Sequence, residues 1–259
     1  MTTDLLTGTT LRQRARNGIA DEHVRGALRN VTNRLADMRV QAQDSLTNWE
    51  ELRDGARAMR GDIIARLPEI LERLADNVEA NGGTVFWAAD ADEASGYVAG
   101  VARRQGVELV VKSKSMVTEE IHLNDVLQRQ GIEVVETDLG EWIIQLAQQM
   151  PSHILAPAIH MTRGDIADLF NRIAGGDLSD VPEELTAFAR EQLRDKFLIA
   201  DLGISGCNFG VAETGSMVLV TNEGNGRMVT SIPRTHIAMM GMERVVETWE
   251  QLDLMMNLL

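Results

Sequence analysis

The fold is decided by residues 107–136, which read VELVVKSKSMVTEEIHLNDVLQRQGIEVVE. Two valine-rich runs, residues 107–111 and 132–136, have the length and β-branched composition of buried strands. A helix-like stretch, residues 118–130, lies between them. Strands separated by helices of about 10–15 residues predict a βαβ unit with parallel strands and a mostly buried sheet.

The same alternation extends on both sides of this unit. Further strand-like runs occupy residues 84–89 and 153–156, and further helical stretches occupy residues 92–105, 140–149 and 163–174. Later strand-like runs have short connections and occupy residues 197–203, 210–220, 227–233 and 235–241, before a last helix over 243–257. We therefore predict an α/β fold with a largely parallel sheet, flanking helices, and hairpins or a mixed section near its end.

A helical segment precedes this α/β part. Apolar residues recur every three or four positions over residues 10–40 and 45–80, and Pro68 is expected to kink or split the second helix. We predict a helical segment over residues 1–80 and an α/β domain over 81–259. Residues 11–39 hold seven arginines against three acidic residues, a net charge of +4. This basic segment either packs on the acidic body or docks another subunit.

Composition excludes several classes of protein. The net charge of −14 over 259 residues disfavours binding to nucleic acid. A single cysteine, Cys207, cannot hold an iron–sulfur cluster, which takes about four thiolates. The sequence lacks a secretory leader and the run of about 18–20 apolar residues that a membrane span requires. These features predict a cytoplasmic protein with no metal site.

The first candidate site follows the strand over residues 107–111. Lys112, Ser113, Lys114 and Ser115 include two of the three lysines in the chain and precede a helix start. Ligands of open α/β sheets bind at the carboxyl ends of the strands. We expect two exposed loop lysines that make this strand end locally positive and bind a carboxylate or phosphate. The alternative is a solvated loop with Thr118 as a helix cap.

Histidines and glycine-rich segments supply further candidates. His160 follows the strand-like run over residues 153–156 and is a candidate proton donor, whereas His153 precedes that run, so the two do not share a metal. Later polar candidates lie among glycines and are Asn208, Glu213, Thr214, Gly215, Glu223, Asn225 and Arg227. Their spacing matches neither a Walker A loop nor a Rossmann fingerprint. Hairpin turns explain residues 222–226 well but residues 212–216 poorly.

These motifs together resemble the lactate-utilisation (LUD) domain family. The resemblance rests on residues 112–121, on 134–140, on 151–160, and on Ala212-Glu-Thr-Gly-Ser216 with Glu223-Gly-Asn-Gly-Arg227. It implies a fold similar to that of ribose-5-phosphate isomerase, glucosamine-6-phosphate deaminase and the CoA transferases. It is a resemblance to members that continue into a cysteine-rich domain with two [4Fe–4S] clusters. The chain is expected to be either part of such a protein or a stand-alone LUD protein, with the clusters in a missing C-terminal domain or in a partner.

The resemblance also implies a function. We expect a component of a bacterial, multi-subunit system that oxidises L-lactate to pyruvate, binding a small carboxylate or phosphate-bearing ligand and inactive alone. In this interpretation Lys112 or Lys114 anchors the anion, and His160 or Glu213 performs the proton transfer. One alternative is a non-catalytic scaffold that docks the other lactate-utilisation subunits. Another, by fold analogy, is a phosphosugar or CoA-ester enzyme in which Glu213 forms an acyl intermediate.

Overall fold

The computed structural model describes residues 10–149, 151 and 156–259. The chain forms two compact units. The first comprises Met1–Thr47 and Ile143–Phe188, as far as these are described, and the second comprises Asn48–Trp142 and Ala189–Leu259. The predicted boundary at residue 80 stays a prediction.

The helices account for most of the ordered backbone. In chain order they are α1 (Leu11–Ala20), α2 (Glu22–Asp44), α3 (Trp49–Ala65), α4 (Leu67–Ala80), α5 (Ala91–Gln105), α6 (Met116–Glu120), α7 (Leu123–Gln128), α8 (Leu139–Ala147), α9 (Arg163–Ala174), α10 (Pro182–Ile199), α11 (Asn225–Ser231) and α12 (Trp249–Met256). The predicted N-terminal helical segment is confirmed. Its second helix divides at Arg66 because Pro68, which cannot donate a backbone hydrogen bond, lies in the first turn of α4.

The strands form two sheets. They are β1 (Leu109–Lys112), β2 (Glu133–Glu136), β3 (Leu202–Gly206), β4 (Phe209–Val211), β5 (Ser216–Val218), β6 (Thr235–Met239) and β7 (Val245–Val246). The larger sheet has the order β2-β1-β3-β6 and is entirely parallel. This confirms the predicted α/β class with a parallel sheet and flanking helices, whereas the likeness to the isomerase and transferase folds stays a prediction.

One face of the parallel sheet is covered by α5 and α7. Val110, Val134 and Ile204 pack there with Val98 of α5 and Leu127 of α7, all of them buried. Side chains alternate between the two faces of a strand, so the last residues of β1 and β2, Lys112 and Glu136, lie on this same face. They pair in register. The predicted helix over residues 118–130 breaks into α6 and α7 at His122, whose φ is +51°.

The smaller sheet has the order β5-β4-β7, and residues 212–215 form the turn between its antiparallel strands β4 and β5. Asn77 Nδ2 of α4 donates to Ala212 O at 2.7 Å, and Asn81 Nδ2 donates to Thr214 O at 2.9 Å. Our expectation that a hairpin turn explains these residues poorly is therefore wrong. These residues form a turn that contacts α4 and its C-terminal cap through hydrogen bonds.

Gly215 tests this account of the turn. Its φ is +68°, and a Cβ there would lie 2.6 Å from the backbone of Asn77 and Val78. Gly215→Ala should lower the free energy of unfolding by about 2–4 kcal/mol, because backbone strain and a clash with main-chain atoms add. Gly224→Ala is the matched control, since Gly224 also has a positive φ but open space, and should cost about 1 kcal/mol. Equal losses in urea unfolding would refute the docking role.

Two predicted strands, over residues 84–89 and 227–233, are wrong, and the strand predicted over 197–203 overlaps β3 only at residues 202 and 203. Residues 84–88 lack regular structure, and the ring of Phe86 stacks on Tyr97 at 3.9 Å instead of entering a core. Residues 197–199 end α10, so β3 begins only at Leu202. Residues 227–231 belong to α11, because Gly224 adopts a left-handed conformation and starts a helix rather than a hairpin.

The remaining sequence predictions have mixed outcomes. The helices α5, α8 and α9 and the strand β6 are confirmed, whereas the last helix is shorter than predicted because β7 precedes α12. The strand predicted over 153–156 falls on residues of which 153–155 lie outside those described. Within the described residues, we find no helix with the combination of length and apolarity that crossing a membrane requires.

Candidate functional site

A buried lysine ends the central strand β1. Lys112 has no exposed surface, and its Nζ lies 2.8 Å from Glu136 Oε1, 2.8 Å from Glu119 Oε1 and 2.9 Å from Thr118 Oγ1. Burial acts to lower the pKa of Lys112, but the carboxylates of Glu136 and Glu119 outweigh it and raise the pKa overall. The ammonium is therefore a permanently charged centre enclosed by acceptors.

Two helix starts bring these acceptors to the end of the strand. Ser115 caps α6, where its Oγ accepts a hydrogen bond from Thr118 N at 3.3 Å, and this cap sets Thr118 and Glu119 beside the lysine. Asn124 of α7 donates from Nδ2 to Glu136 Oε1 at 2.7 Å. The Glu136 carboxylate thus receives an ammonium and an amide on the same oxygen.

A second glutamate that the sequence analysis missed completes the cluster. Glu141 lies in the first turn of α8 and is 8% exposed. Burial and the negative charge of Glu136 raise its pKa to about 9, Lys112 opposes the shift, and a hydrogen bond to Glu136 adds to it. Among the described residues, Glu141 Oε2 has no hydrogen-bond partner. Glu141 is therefore a protonated carboxylic acid at neutral pH.

The cluster of Lys112, Glu119, Glu136 and Glu141 is suited to proton transfer. Two carboxyl groups in contact cannot both ionise without repulsion, so one keeps a proton that the other can accept. Asp138 caps α8 by accepting from the backbone of Gly140 at 3.1 Å and of Glu141 at 3.3 Å, which fixes the direction of the helix start. The arrangement can donate or accept one proton at a fixed position.

The expectation of a locally positive strand end with exposed lysines is wrong. Lys112 is buried, and Lys114 is only half-buried. Burial raises the pKa of Glu223, while the charge of Lys114 opposes this shift, so Lys114 also has a carboxyl group nearby. A glutamate side chain therefore lies near each of the two lysines. Whether the lysines contact a ligand stays a prediction.

Several predicted site residues do gather at this edge of the sheet. Ser113 and Ser115 are buried, and Ser113 N donates to Ile204 O at 2.9 Å. Glu223 Oε2 accepts from Leu139 N, at the start of α8, at 3.1 Å. Asn225 Nδ2 donates to Thr137 Oγ1 at 3.2 Å, and that hydroxyl donates to Lys112 O at 2.9 Å. The loops after β1 and β2 and the start of α11 thus share one polar network.

Four of the other candidates, Asn208, Glu213, Thr214 and Gly215, lie in or beside the smaller sheet. Glu213 Oε1 accepts from Trp249 N at the start of α12 at 2.9 Å, and Asn208 Oδ1 accepts from Val220 N at 2.8 Å. Thr214 Oγ1 donates to Ser216 Oγ at 2.9 Å within the turn that also contains Gly215. Arg227 is exposed on α11. Glu213, Asn208, Thr214 and Gly215 therefore each have a structural role. The binding or catalytic roles of all five candidates stay predictions.

His160 lies in the first compact unit. Its Nε2 is 2.7 Å from Gln149 Oε1, and burial lowers its pKa, an effect that Asp165 opposes. The imidazole is therefore neutral at pH 7. His153 lies outside the described residues.

A contact between a buried serine and a half-buried histidine was also missed by the sequence analysis. Ser205 Oγ of β3 lies 2.8 Å from His236 Nε2 of β6, and burial lowers the pKa of His236. Ser205 has no exposed surface. The pairing of β3 with β6 brings these two residues together, and no spacing in the sequence signals it.

The donor set of this chain does not fit an iron–sulfur cluster. Cys207 is the single cysteine, its thiol donates to Phe209 O at 3.0 Å, and burial raises its pKa. Elsewhere in the described residues, no three His, Cys, Asp or Glu side chains form a group that could hold a metal ion. Four thiolates cannot be assembled from these residues.

Comparison with known proteins gives consistent matches. The LUD domain family matches residues 71–259. Lactate utilization protein B of Bacillus pumilus is 48% identical over 249 residues, which cover 96% of this chain and 53% of that protein. The protein of the same name from Macrococcus caseolyticus is 48% identical over 251 residues, with the same coverage. The chain spans about half the length of the curated relatives it matches. No solved structure matches significantly.

Proposed function

Because this chain belongs to the LUD domain family, we propose that it takes part in lactate utilisation, as the names of its relatives suggest. In this proposal it is the proton-transferring component of a multi-subunit system that oxidises L-lactate to pyruvate. The observation that carries the proposal is the pair of Glu136 and Glu141 beside buried Lys112.

The reaction defines what the pair must do. Oxidation of lactate to pyruvate removes two electrons and two protons, one proton from the hydroxyl group and one with the C–H bond. Burial and the charge of Glu136 raise the pKa of Glu141 to about 9, so one carboxyl group of the pair holds a proton at neutral pH and the other can accept the hydroxyl proton. Before the transfer, the positive charge of Lys112 offsets the negative charge of Glu136.

The two electrons and the hydrogen of the C–H bond must leave to an acceptor, which we propose lies outside this chain. A single cysteine cannot bind a [4Fe–4S] cluster, so iron–sulfur electron transfer, if used, is supplied by another domain or subunit. We propose Lys114 as the contact for the substrate carboxylate, because Lys112 has no exposed surface whereas Lys114 is only half-buried. Purified chain alone should therefore not oxidise lactate.

Glu141→Gln tests this function in the assembled system. The amide keeps the shape and neutrality of the protonated acid but cannot exchange its proton with Glu136. We expect kcat for lactate-dependent reduction of an acceptor to fall about 100-fold or more, with KM changed little. Lys114→Met should instead raise KM.

The matched control is Glu120→Gln, because it makes the same exchange of a carboxyl group for an amide at an exposed position of α6. Wild-type kcat in Glu141→Gln, with a thermal midpoint showing that the variant is folded, would contradict the proton-transfer role. Lactate turnover by the chain alone with an artificial electron acceptor would contradict the need for an external acceptor.

A further inference from the structure

An apolar groove lies along α4, within the second compact unit. The cavity has a volume of about 660 Å³, and its walls include Leu67, Leu71, Ala75, Trp87 and Met242. Trp87 is 50% exposed and Met242 is 53% exposed. Large side chains left this open on a groove indicate a surface that another molecule covers.

The rim of this groove is acidic. Glu72, Asp76 and Glu79 line it, and their spacing places them on one face of α4. In the part of the chain that the structure describes, none of the three forms an ion pair. An apolar floor with a carboxylate rim fits a basic amphipathic helix, which lays its apolar face into the groove and its cations on the rim.

In the chain itself, α2 is an amphipathic helix with four arginines against three acidic residues. In α2, Leu28, Val31, Leu35 and Met38 recur at helical spacing, and Leu35 and Met38 are 41% and 52% exposed. Helical periodicity places Arg34 and Arg39 on opposite flanks of this apolar stripe. The 23 residues of α2 extend over about 35 Å at 1.5 Å per residue, enough to follow the groove.

We propose that the groove on α4 binds helix α2 of a second copy of this chain. Each copy offers one acidic groove and one basic helix, so a two-fold dimer forms this contact twice and leaves neither surface open. Charge complementarity between the rim and the arginines selects the occupant, and the exposed apolar stripe supplies the buried area. The N-terminal arm is thus a dimerisation element.

Charge reversal with exchange of partners tests the dimer. Light scattering after size exclusion should show the full chain as a dimer. Glu72→Lys with Asp76→Lys should make it monomeric, as should Arg34→Glu with Arg39→Glu, each weakening association about tenfold or more. An equimolar mixture of these two variants should form a heterodimer, because a reversed helix then meets a reversed rim and the wild-type surfaces meet each other.

The control is Arg16→Glu with Arg29→Glu, which changes the charge equally on α1 and on the opposite side of α2 and should leave the dimer intact. Three results would overturn the proposal. They are a wild-type monomer at micromolar concentration, a dimer unaffected by either reversal, and two folded monomeric variants that fail to associate when mixed. If the groove binds a different basic protein and not a second copy, the purified wild-type chain will be a monomer, which is the first of these results.

Discussion

Lys112→Met should destabilise the protein by about 3–5 kcal/mol, the largest loss that we expect from a single substitution here. Methionine keeps much of the volume of the side chain but removes the charge that Glu136 and Glu119 both contact at 2.8 Å. Glu136 is then a buried carboxylate without a cation, and an uncompensated buried charge costs far more than a lost surface ion pair. Urea unfolding monitored by circular dichroism measures the effect.

Two further variants separate this charge effect from packing. Lys114→Met removes an equal charge from a half-buried neighbour and should change the free energy of unfolding by no more than about 0.5–1 kcal/mol. Adding Glu136→Gln to Lys112→Met should recover part of the loss, because the stranded charge disappears. If both lysine substitutions cost the same, Lys112 is not the centre of a buried charge network.

Glu141 should make the protein lose stability as the pH rises from about 4.5 to about 9. Its pKa in the folded protein is about 9, against an ordinary value of 4.5, so the folded state holds a proton that the unfolded state releases in this range. Stability from a group with a raised pKa is fully present below the unfolded pKa and is lost as the pH approaches the folded pKa. Glu141→Gln removes this dependence.

The stabilities of Glu141→Gln and the wild type, compared at pH 7 and at pH 4.5, show the sign of this pH dependence directly. The variant should be more stable than the wild type by roughly 1–3 kcal/mol at pH 7, and the difference should shrink toward pH 4.5. Other titrating groups, including His160, Glu223 and His236, are present in both proteins, so the difference between the two pH profiles isolates the pair of Glu136 and Glu141. Parallel profiles would mean that Glu141 is ionised in the folded protein.

Local pattern was sufficient to predict the βαβ unit, because β1 and β2 are short valine-rich runs whose burial on both faces leaves a continuous apolar signal. It failed for residues 84–89, which are also an apolar run but pair with no strand and leave Phe86 and Trp87 exposed. It also failed at α11, where a left-handed Gly224 starts a helix. Glycine and asparagine are also typical of hairpin turns, so they do not distinguish the two structures.

The candidate site was predicted only in part, because local sequence pattern does not show which side chains meet in the folded protein. Lys112 stood out because lysine is rare in this chain and follows a strand, but its burial depends on Glu136 of the neighbouring strand and on α6. Glu141 carries no sequence signal, since its raised pKa arises only when α8 places it against Glu136. Strand ends can be read from sequence, whereas the side chains that meet there require the register of the sheet.

The most direct test is a carbon-13 NMR titration of the side-chain carboxyls in glutamate-labelled protein, with and without L-lactate. Loss of one resonance in Glu141→Gln assigns Glu141. We expect this carboxyl to stay protonated until about pH 9 and its resonance to shift when L-lactate is added at pH 7. A carboxyl that titrates near pH 4.5, or one that does not respond to saturating L-lactate in the assembled system, would contradict a proton-transfer site for lactate at the end of the parallel sheet.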